Sequence, residues 1–305
     1  MVLKAALQSL PRRFFVLVSF LLLAGCSRSD YPVMFPSGPI GQAQRDLLFD
    51  AFWLMMIVAI PVYLLAIFFI WRYRRSHKGN ATYKPHWEGN WQIETVVWTV
   101  PALIVIVIAY LQITGTQKLD PFRQIDPNLK SFQVQAVAQD WKWLFIYPEL
   151  GVATVNELAF PADRPLTIDI TSDTVMNSFM IPALGGQIYA MAGMRTELNL
   201  LANEPGTFTG RNTLYSGDGY SEQYFQAHAM TDADFSAWRE KVAASANALD
   251  AQTYVDLQKP SVANPVTYYS SFEPNLFTII LRKYAPIVGP YESEAAELIC
   301  RGSAA

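Results

Sequence analysis

Two long apolar runs lie in the first part of the chain. The first, Leu47 to Trp71, contains one charged residue, Asp50, close to its start, and the second, Ile93 to Ile113, contains only Glu94. Each run has at least the roughly 20 residues that a helix needs to cross the hydrocarbon core of a bilayer. The pattern therefore predicts a transmembrane helical hairpin over residues 47–113.

The segment between the two runs, residues 72–92, is basic. Its cationic residues are Arg72, Arg74, Arg75, Lys78 and Lys84. Acidic residues are absent from this segment before Glu88. Short loops with such an excess of Lys and Arg stay in the cytoplasm. Both outer ends of the hairpin are therefore expected on the extracytoplasmic side of the membrane.

From residue 131 onward the apolar period changes to two, which is typical of strands. One run alternates aromatic residues with other residues: Trp141, Lys142, Trp143, Leu144, Phe145, Ile146 and Tyr147. Further alternating runs follow, separated by turns rich in Pro, Gly and Asn. Short runs of this kind predict an antiparallel sandwich or barrel, which we assign to residues 128–231.

Helical spacing returns after the predicted sandwich. Apolar residues recur at helix-like intervals, namely Phe235, Trp238, Val242 and Ala246. They predict a helix near residues 232–249, with Asp232 or Asp234 as the N-cap. With the aromatic-rich stretch that follows, this helix forms an extension over residues 232–287. Residues 288–305 continue no pattern, and we expect a loose tail there.

The chain opens with the pattern of a lipoprotein signal peptide. Basic residues precede an apolar run, Phe14 to Leu23, that is too short to span a bilayer comfortably. The run leads into Leu23-Ala24-Gly25-Cys26, which is similar to a bacterial lipobox. This similarity implies removal of residues 1–25, acylation of Cys26 and an extracytoplasmic segment over residues 26–46. The alternative is an ordinary signal anchor that ends in a buried, unmodified cysteine.

Composition and charge exclude some functions of this chain. A formal net charge of -3 without a basic tail gives no support for nucleic-acid binding. The predicted sandwich has no cysteine and one histidine, His228, while Cys300 lies in the tail without a cysteine partner. Dinuclear copper centres need two thiolates and two imidazoles, and blue copper sites need one thiolate and two imidazoles. We therefore expect no metal in this domain and no ligand role for His228.

Several motifs match a known family. They are residues 94–101, 140–143, 175–182, 187–194 and 202–206. With the hairpin and the sandwich, they resemble subunit II of haem-copper terminal oxidases, in the quinol-oxidising branch of the cytochrome bo type. The resemblance covers roughly Cys26 to Tyr284. It implies two transmembrane α-helices and an all-β cupredoxin-like sandwich, with a short helical, aromatic-rich C-terminal extension.

The resemblance also assigns the positions of lost copper ligands. Asn177 stands where the copper-bearing branch has its first histidine, Tyr215 and Gly219 stand at its two cysteines, and Gln223 lies near its second histidine. The resemblance implies no cofactor in this subunit, with haems and copper in the partner subunit I. In the family, a glutamate at the position of Glu94 marks the cytoplasmic mouth of a proton-uptake path. An interaction with the positive end of its own helix is the alternative role for Glu94.

The function that the resemblance implies belongs to a complex. The chain would be a structural subunit, without a redox centre, of a proton-pumping oxidoreductase that converts ubiquinol and O2 to quinone and water. Expected partners are haem-bearing subunit I, other oxidase subunits, membrane lipid and the quinol used by the complex. The expected location is the bacterial plasma (inner) membrane, with the N-terminus and the C-terminal domain in the periplasm.

Two other functions remain open on the residues alone. One is a copper-bearing subunit II of a cytochrome c oxidase, against which the cysteine count argues. The other is a free-standing extracytoplasmic binding lipoprotein, which would not need two membrane spans in addition to its lipid anchor.

Overall fold

The computed structural model describes residues 31–74, 88–284 and 299. Two long helices come first, α1 over Pro39–Arg72 and α2 over Trp91–Lys118. Both are long and apolar enough to cross a membrane. The expected signal peptide with Cys26, residues 75–87 of the basic loop, and Cys300 lie outside the described residues.

Both helices extend beyond the predicted apolar runs, at the ends that meet the β-domain. Helix α1 begins at Pro39 instead of Leu47, and α2 continues past Ile113 to Lys118. The longer start of α1 is explained by proline, whose fixed φ and missing N–H suit the first helical turn. The apolar pattern predicts only the apolar part of each helix, and the polar turns beyond it carry no such signal.

The β-domain is attached to both helices. A Cβ on Gly38, the residue before α1, would lie 2.2 Å from the carbonyl oxygen of Leu201, so the close approach of these two segments requires glycine. Just beyond α2, the backbone N–H of Asn199 donates to the carbonyl oxygen of Pro121 at 3.1 Å. These two contacts fix the β-domain to the end of the helical pair.

Eleven strands form two sheets in the described residues. They are β1 Phe132–Gln139, β2 Lys142–Tyr147, β3 Val152–Val155, β4 Glu157–Pro161, β5 Leu166–Ser172, β6 Asn177–Ile181, β7 Gly185–Ala190, β8 Thr196–Leu200, β9 Gly206–Asn212, β10 Tyr224–Met230 and β11 Thr267–Tyr269. The first sheet has the order β11-β3-β2-β1-β5-β8 and is called sheet A here. Sheet B has the order β4-β10-β9-β6-β7. The predicted sandwich is therefore confirmed.

The prediction of an antiparallel sandwich is corrected at two strand pairs, while the other pairs are antiparallel as expected. Strands β1 and β5 pair in parallel, with Val134 opposite Ile168, and β10 and β4 also pair in parallel. Alternation of apolar and polar residues reports which faces of a strand are buried, and it carries no information about strand direction. The pattern therefore predicted the layers of the domain but could not predict its connections.

The main core lies between the two sheets and is rich in aromatic rings. Trp143 contacts Phe179 edge-to-face, with ring centroids 5.2 Å apart, and Phe145 contacts Phe225 at 5.0 Å. All four side chains are buried. Edge-to-face pairs at these separations add to the stability that burial alone provides.

A second core lies on the other face of sheet A, beneath the C-terminal extension. The extension consists of α3 Asp232–Ala243, α4 Ala251–Leu257, strand β11 and α5 Leu276–Tyr284. Leu144 and Ile146 of β2 pack here against residues of the extension such as Tyr254 and Ile280. Strand β2 is consequently buried on both faces, although its sequence alternates.

The N-cap of helix α3 is neither of the two predicted residues, Asp232 and Asp234. Thr231 is the N-cap, and its Oγ1 accepts a hydrogen bond from the backbone N–H of Asp234 at 3.2 Å. The same hydroxyl donates to Asp234 Oδ2 at 2.7 Å. Asp232 and Asp234 lie in the first turn, where carboxylates stabilise the positive end of a helix without capping it.

Candidate functional site: a buried amide cluster

Three side-chain amides meet at one end of sheet B. Asn177 is the first residue of β6, Asn212 is the last residue of β9, and Gln223 immediately precedes β10. All three are buried, with exposures of 0%, 4% and 1%. The strands therefore bring together two of the four positions that the family resemblance had marked as lost ligands, Asn177 and Gln223.

Asn212 is the centre of this amide cluster. Its Nδ2 donates to Asn177 Oδ1 at 2.7 Å and to Gln223 Oε1 at 2.9 Å. Its Oδ1 accepts from the backbone N–H groups of Ser178 at 2.9 Å and Leu214 at 3.0 Å. Both hydrogens and both lone pairs of the amide are thus used, which is how a buried polar side chain avoids a desolvation penalty.

The remaining polar atoms of the amide cluster are bonded to its surroundings. Ser216 Oγ donates to Gln223 Oε1 at 3.1 Å, and Gln223 Nε2 donates to the carbonyl oxygen of Gln139 at 3.3 Å. Asn177 Nδ2 donates to the carbonyl oxygen of Val175 at 2.8 Å. The cluster therefore joins both sheets and the loop between β9 and β10 through hydrogen bonds alone.

The other two marked positions lie outside the amide cluster. Tyr215 is 73% exposed, and its ring lies 5.8 Å from that of Tyr220 in the short 3-10 helix of the same loop. Gly219 lies beneath Trp141, where an added Cβ would be 2.3 Å from ring atom Cδ2. Neither position directs a side chain toward the three amides.

Trp141 holds the loop between β9 and β10 against the β1–β2 turn. Its Nε1 donates to the carbonyl oxygen of Ser216 at 3.2 Å. Its φ of 62° lies in the left-handed region, which is unfavourable for a bulky side chain. Contacts of the ring with the loop, including Gly217 and Gly219, compensate for this backbone conformation.

The residues at this end of the domain do not fit a copper ion. Copper centres of cupredoxin type are built from thiolates and imidazoles, and the amide cluster supplies amides and a hydroxyl that are already bonded to one another. In the part of the chain that the structure describes, no group of three His, Cys, Asp or Glu side chains is arranged to hold a metal ion. His228 lies on β10, where its Nδ1 is 3.0 Å from Thr207 Oγ1.

A buried carboxylate that the sequence patterns did not single out, Asp173, joins the extension to the sandwich. Its Oδ1 accepts from Lys283 Nζ at 2.8 Å, and its Oδ2 accepts from Tyr254 Oη at 2.6 Å and Gln258 Nε2 at 2.9 Å. Burial, reinforced by the Asp173 carboxylate, raises the pKa of Tyr254 well above its usual value. Tyr254 therefore remains a neutral donor.

A second residue that the patterns did not single out is Lys142, on the face of β2 that the extension covers. Its Nζ donates to the carbonyl oxygen of Lys259 at 2.8 Å and to Ser261 Oγ at 2.7 Å. The residue is 1% exposed, and burial lowers the pKa of its ammonium to about 8 despite the opposing effect of Asp140. The sequence shows only a lysine in an alternating strand, and alternation does not tell whether its face is covered by a distant segment.

Glu94 lies in the first turn of α2, far in sequence from the amide cluster. Asn90 caps this helix, its Oδ1 accepting from the backbone N–H of Gln92 at 2.9 Å. The Glu94 carboxylate is exposed and lies against Gly89. Among the residues of this first turn, Glu94 is the acidic one.

Known proteins are similar to this chain over most of its length. Residues 33–114 match the family model for the cytochrome c oxidase subunit II transmembrane domain, and residues 243–286 match the COX aromatic rich motif. Cytochrome bo(3) ubiquinol oxidase subunit 2 of Pseudomonas putida is 47% identical over 90% of this chain and 87% of its own length. The protein of the same name from Pseudomonas aeruginosa is 49% identical, over 87% of this chain and 78% of the relative.

A third relative extends the match to another genus. Ubiquinol oxidase subunit 2 of Acetobacter aceti is 46% identical over 88% of this chain and 86% of its own length. These identities confirm the resemblance that the motifs indicated, and they favour the quinol-oxidising branch over the two alternatives. The chain belongs to the subunit 2 family of haem-copper ubiquinol oxidases.

Proposed function

We propose that this chain is the non-redox scaffold subunit of a proton-pumping ubiquinol oxidase. The amide cluster carries the proposal, because a hydrogen-bonded set of amides stands where a copper relay would need thiolates and imidazoles. Quinol is soluble in the bilayer and can reach a haem-bearing subunit directly. Such a complex needs no electron relay in its extracytoplasmic domain.

The two helices supply the contact with the membrane partner. Among their described residues only Gly41 is buried, so nearly the whole apolar surface of both helices is available to lipid or to other subunits. Helices associate within a bilayer through close van der Waals packing, since lipid gives little hydrophobic driving force. We infer that haem-bearing subunit I, which would hold the haems and copper, packs on this surface.

The proposed orientation places the β-domain in the periplasm. The basic loop between the helices favours the cytoplasmic side for that loop. The expected acylation of Cys26 would add a lipid anchor on the outer leaflet. Together these two signals support an inner-membrane protein with its N-terminus and its C-terminal domain outside.

The test uses the intact complex, isolated through a tag on this chain. We expect haem absorption in the optical spectrum, rapid turnover with ubiquinol, and slow turnover with a water-soluble haem protein as the donor. We also expect no near-infrared absorption of a copper–thiolate centre. Equal turnover with both donors, or copper bound stoichiometrically to the β-domain, would contradict the proposal.

We further propose that Glu94 collects protons at the cytoplasmic mouth of a path into subunit I. An exposed carboxylate in the first turn of a membrane helix is suited to pass protons to water. The other role, stabilisation of the helix end, is worth about 0.3–1 kcal/mol and would not affect turnover. We expect Glu94→Ala to slow proton-coupled turnover while the complex still assembles.

A matched control for Glu94 is Glu88→Ala, which removes a carboxylate just outside the same helix. We expect near-normal turnover in this control and partial recovery in Glu94→Asp. If purified Glu94→Ala complex turned over at the wild-type rate, only the helix-end role would remain.

A further inference from the structure

An open pocket lies on the outer face of sheet B, away from the two cores. It has a volume of about 480 Å³ and lies between β9, β10 and the 3-10 helix Tyr220–Glu222. This volume is in the range of small-molecule binding sites. The side chains that matter for its chemistry are Thr209, Arg211, Tyr220, Ser221, Tyr224 and Gln226.

The register of β9 and β10 determines which groups face this pocket. Three polar pairs stand directly opposite one another on the outer face, namely Arg211–Tyr224, Thr209–Gln226 and Thr207–His228. The third pair lies beyond the pocket lining and is bonded to itself, with 3.0 Å between Thr207 Oγ1 and His228 Nδ1. The first two pairs make no side-chain hydrogen bond to each other within the described chain. Their donors and acceptors are therefore available to a ligand.

Arg211 gives the pocket its charge. Its side chain is exposed and forms neither a hydrogen bond nor an ion pair with any side chain among the described residues. Arg195, by contrast, is in an ion pair, with its Nη2 2.8 Å from Asp169 Oδ1. No carboxylate lines the described pocket. A planar guanidinium with free donors suits the two oxygens of a carboxylate or a phosphate.

The neutral groups around Arg211 determine which other chemical groups the ligand can carry. Hydroxyl groups of Thr209 and Ser221 and the amide of Gln226 can bond to hydroxyl or amide groups. The rings of Tyr220 and Tyr224 offer flat surfaces for the carbon face of a sugar-like ring. A purely apolar ligand would remove water from the guanidinium without replacing its hydrogen bonds, which costs free energy.

The floor of the pocket is held by the amide cluster. Asn212 and Gln223 both line the pocket and are bonded to each other at 2.9 Å. This bond fixes the end of β9 relative to the start of β10, which are the strands that carry Arg211 and Tyr224. A rigid floor of this kind lowers the ordering cost of binding.

From these observations we propose that the outer face of sheet B binds a small, polyhydroxylated anion through Arg211. The class comprises sugar acids and sugar phosphates, which share one oxyanion and several hydroxyl groups. This site is separate from quinol oxidation and does not depend on it.

The experiment uses the purified complex in detergent and in buffer free of phosphate. Binding of glucuronate, glucose 6-phosphate and glucose is followed by saturation-transfer NMR for three forms: wild type, Arg211→Ala and Arg239→Ala. Arg239 is an exposed arginine on α3 and serves as the matched control. Loss of a charged hydrogen-bond donor typically weakens binding by about tenfold or more.

We expect at least one of the two anionic sugars to bind wild type and Arg239→Ala equally, and to bind Arg211→Ala about tenfold more weakly. Glucose should bind wild type about as weakly as the anions bind Arg211→Ala. Preference for glucuronate or for glucose 6-phosphate would identify the oxyanion as a carboxylate or a phosphate. The proposal is overturned if neither anion binds below about 10 mM, if Arg211→Ala binds as wild type does, or if glucose binds equally well.

Discussion

Lys283 and Asp173 form an ion pair inside the protein, with 2.8 Å between Nζ and Oδ1. Their side chains are 6% and 1% exposed. The pair joins α5, near the end of the extension, to the segment that leads into β6 and the amide cluster. The extension is therefore attached to the sandwich by charge as well as by the second apolar core.

Removing one partner of this ion pair should destabilise the chain strongly. Asp173→Ala leaves the Lys283 ammonium buried without its partner, which typically costs about 3–5 kcal/mol. The measurement is urea unfolding of the full chain in detergent, followed by tryptophan fluorescence. Asp256→Ala removes the exposed pair with Lys259, in which the side chains are 57% and 72% exposed, and should change stability little because solvent screens the pair.

A double variant separates the ion pair from the packing around it. Asp173→Asn combined with Lys283→Met removes both charges and should be less destabilising than Asp173→Ala, because no charge is left buried alone. If the exposed control and Asp173→Ala lowered the unfolding midpoint equally, the buried pair would not hold the extension in place.

Lys142 should give the chain a stability that rises with pH. Its folded pKa of about 8 lies below the ordinary value of 10.5 because burial disfavours the ammonium. Between about pH 8 and about 10.5 the unfolded chain therefore binds more protons than the folded chain, so the free energy of unfolding increases with pH. Below about pH 8 the cost of the buried charge is fully present.

The variant Lys142→Met removes this titration and should flatten the increase between pH 8 and 10. Lys130→Met, at a position whose side chain is 78% exposed, should retain the wild-type slope. The slopes are measured by urea unfolding of the full chain at pH 7, 8, 9 and 10. Parallel curves for wild type and Lys142→Met would show that the lysine does not titrate in this range.

The alternation along β2 illustrates how far the sequence predicts this fold. It identified Trp143 and Phe145 as one face, and that face does enter the core between the sheets. It could not show that Lys142 and Leu144 on the opposite face are also buried, because the covering extension comes more than 100 residues later. When a strand is buried by a segment that is distant in sequence, the strand's own residues carry no pattern that reveals this burial.

The amide cluster shows the corresponding limit for the candidate site. The family resemblance marked Asn177 and Gln223, and the strands bring these two side chains to the same neighbour. Nothing in the sequence identified that neighbour, Asn212, as part of the site, because an asparagine at the end of a strand ordinarily indicates a turn. Its role follows from the pairing of β9 with β6 and β10, which only the three-dimensional structure gives.

Asn212 should be the most sensitive residue of the amide cluster. Asn212→Ala leaves the Asn177 Oδ1 acceptor and the backbone N–H groups of two further residues without a partner. Gln223 Oε1 keeps the hydrogen bond from Ser216 Oγ. Each unsatisfied buried group costs about 1–3 kcal/mol, so a loss of several kcal/mol is expected. Asn128→Ala, at an exposed position, should change the thermal midpoint little. Equal midpoints for the two variants would show that water replaces the missing amide.

Trp141 and Gly219 should be coupled, because the indole occupies the space that a side chain at position 219 would need. Gly219 has a φ of -90°, so alanine is compatible with its backbone, and the cost of Gly219→Ala would come from contact with the ring alone. We expect a loss of about 1–3 kcal/mol, typical of overpacking. Ser221→Ala, an exposed change in the same loop, should cost less than about 0.5 kcal/mol.

The double variant Trp141→Ala with Gly219→Ala tests this coupling. Removing the indole frees the space for the new methyl group, so the two changes together should cost less than the sum of the single changes. The free energies come from urea unfolding of all three variants and wild type. A simple sum would mean that the loop carrying Gly219 moves independently of Trp141, and the strained backbone of Trp141 would then lack the compensating contact that the structure indicates.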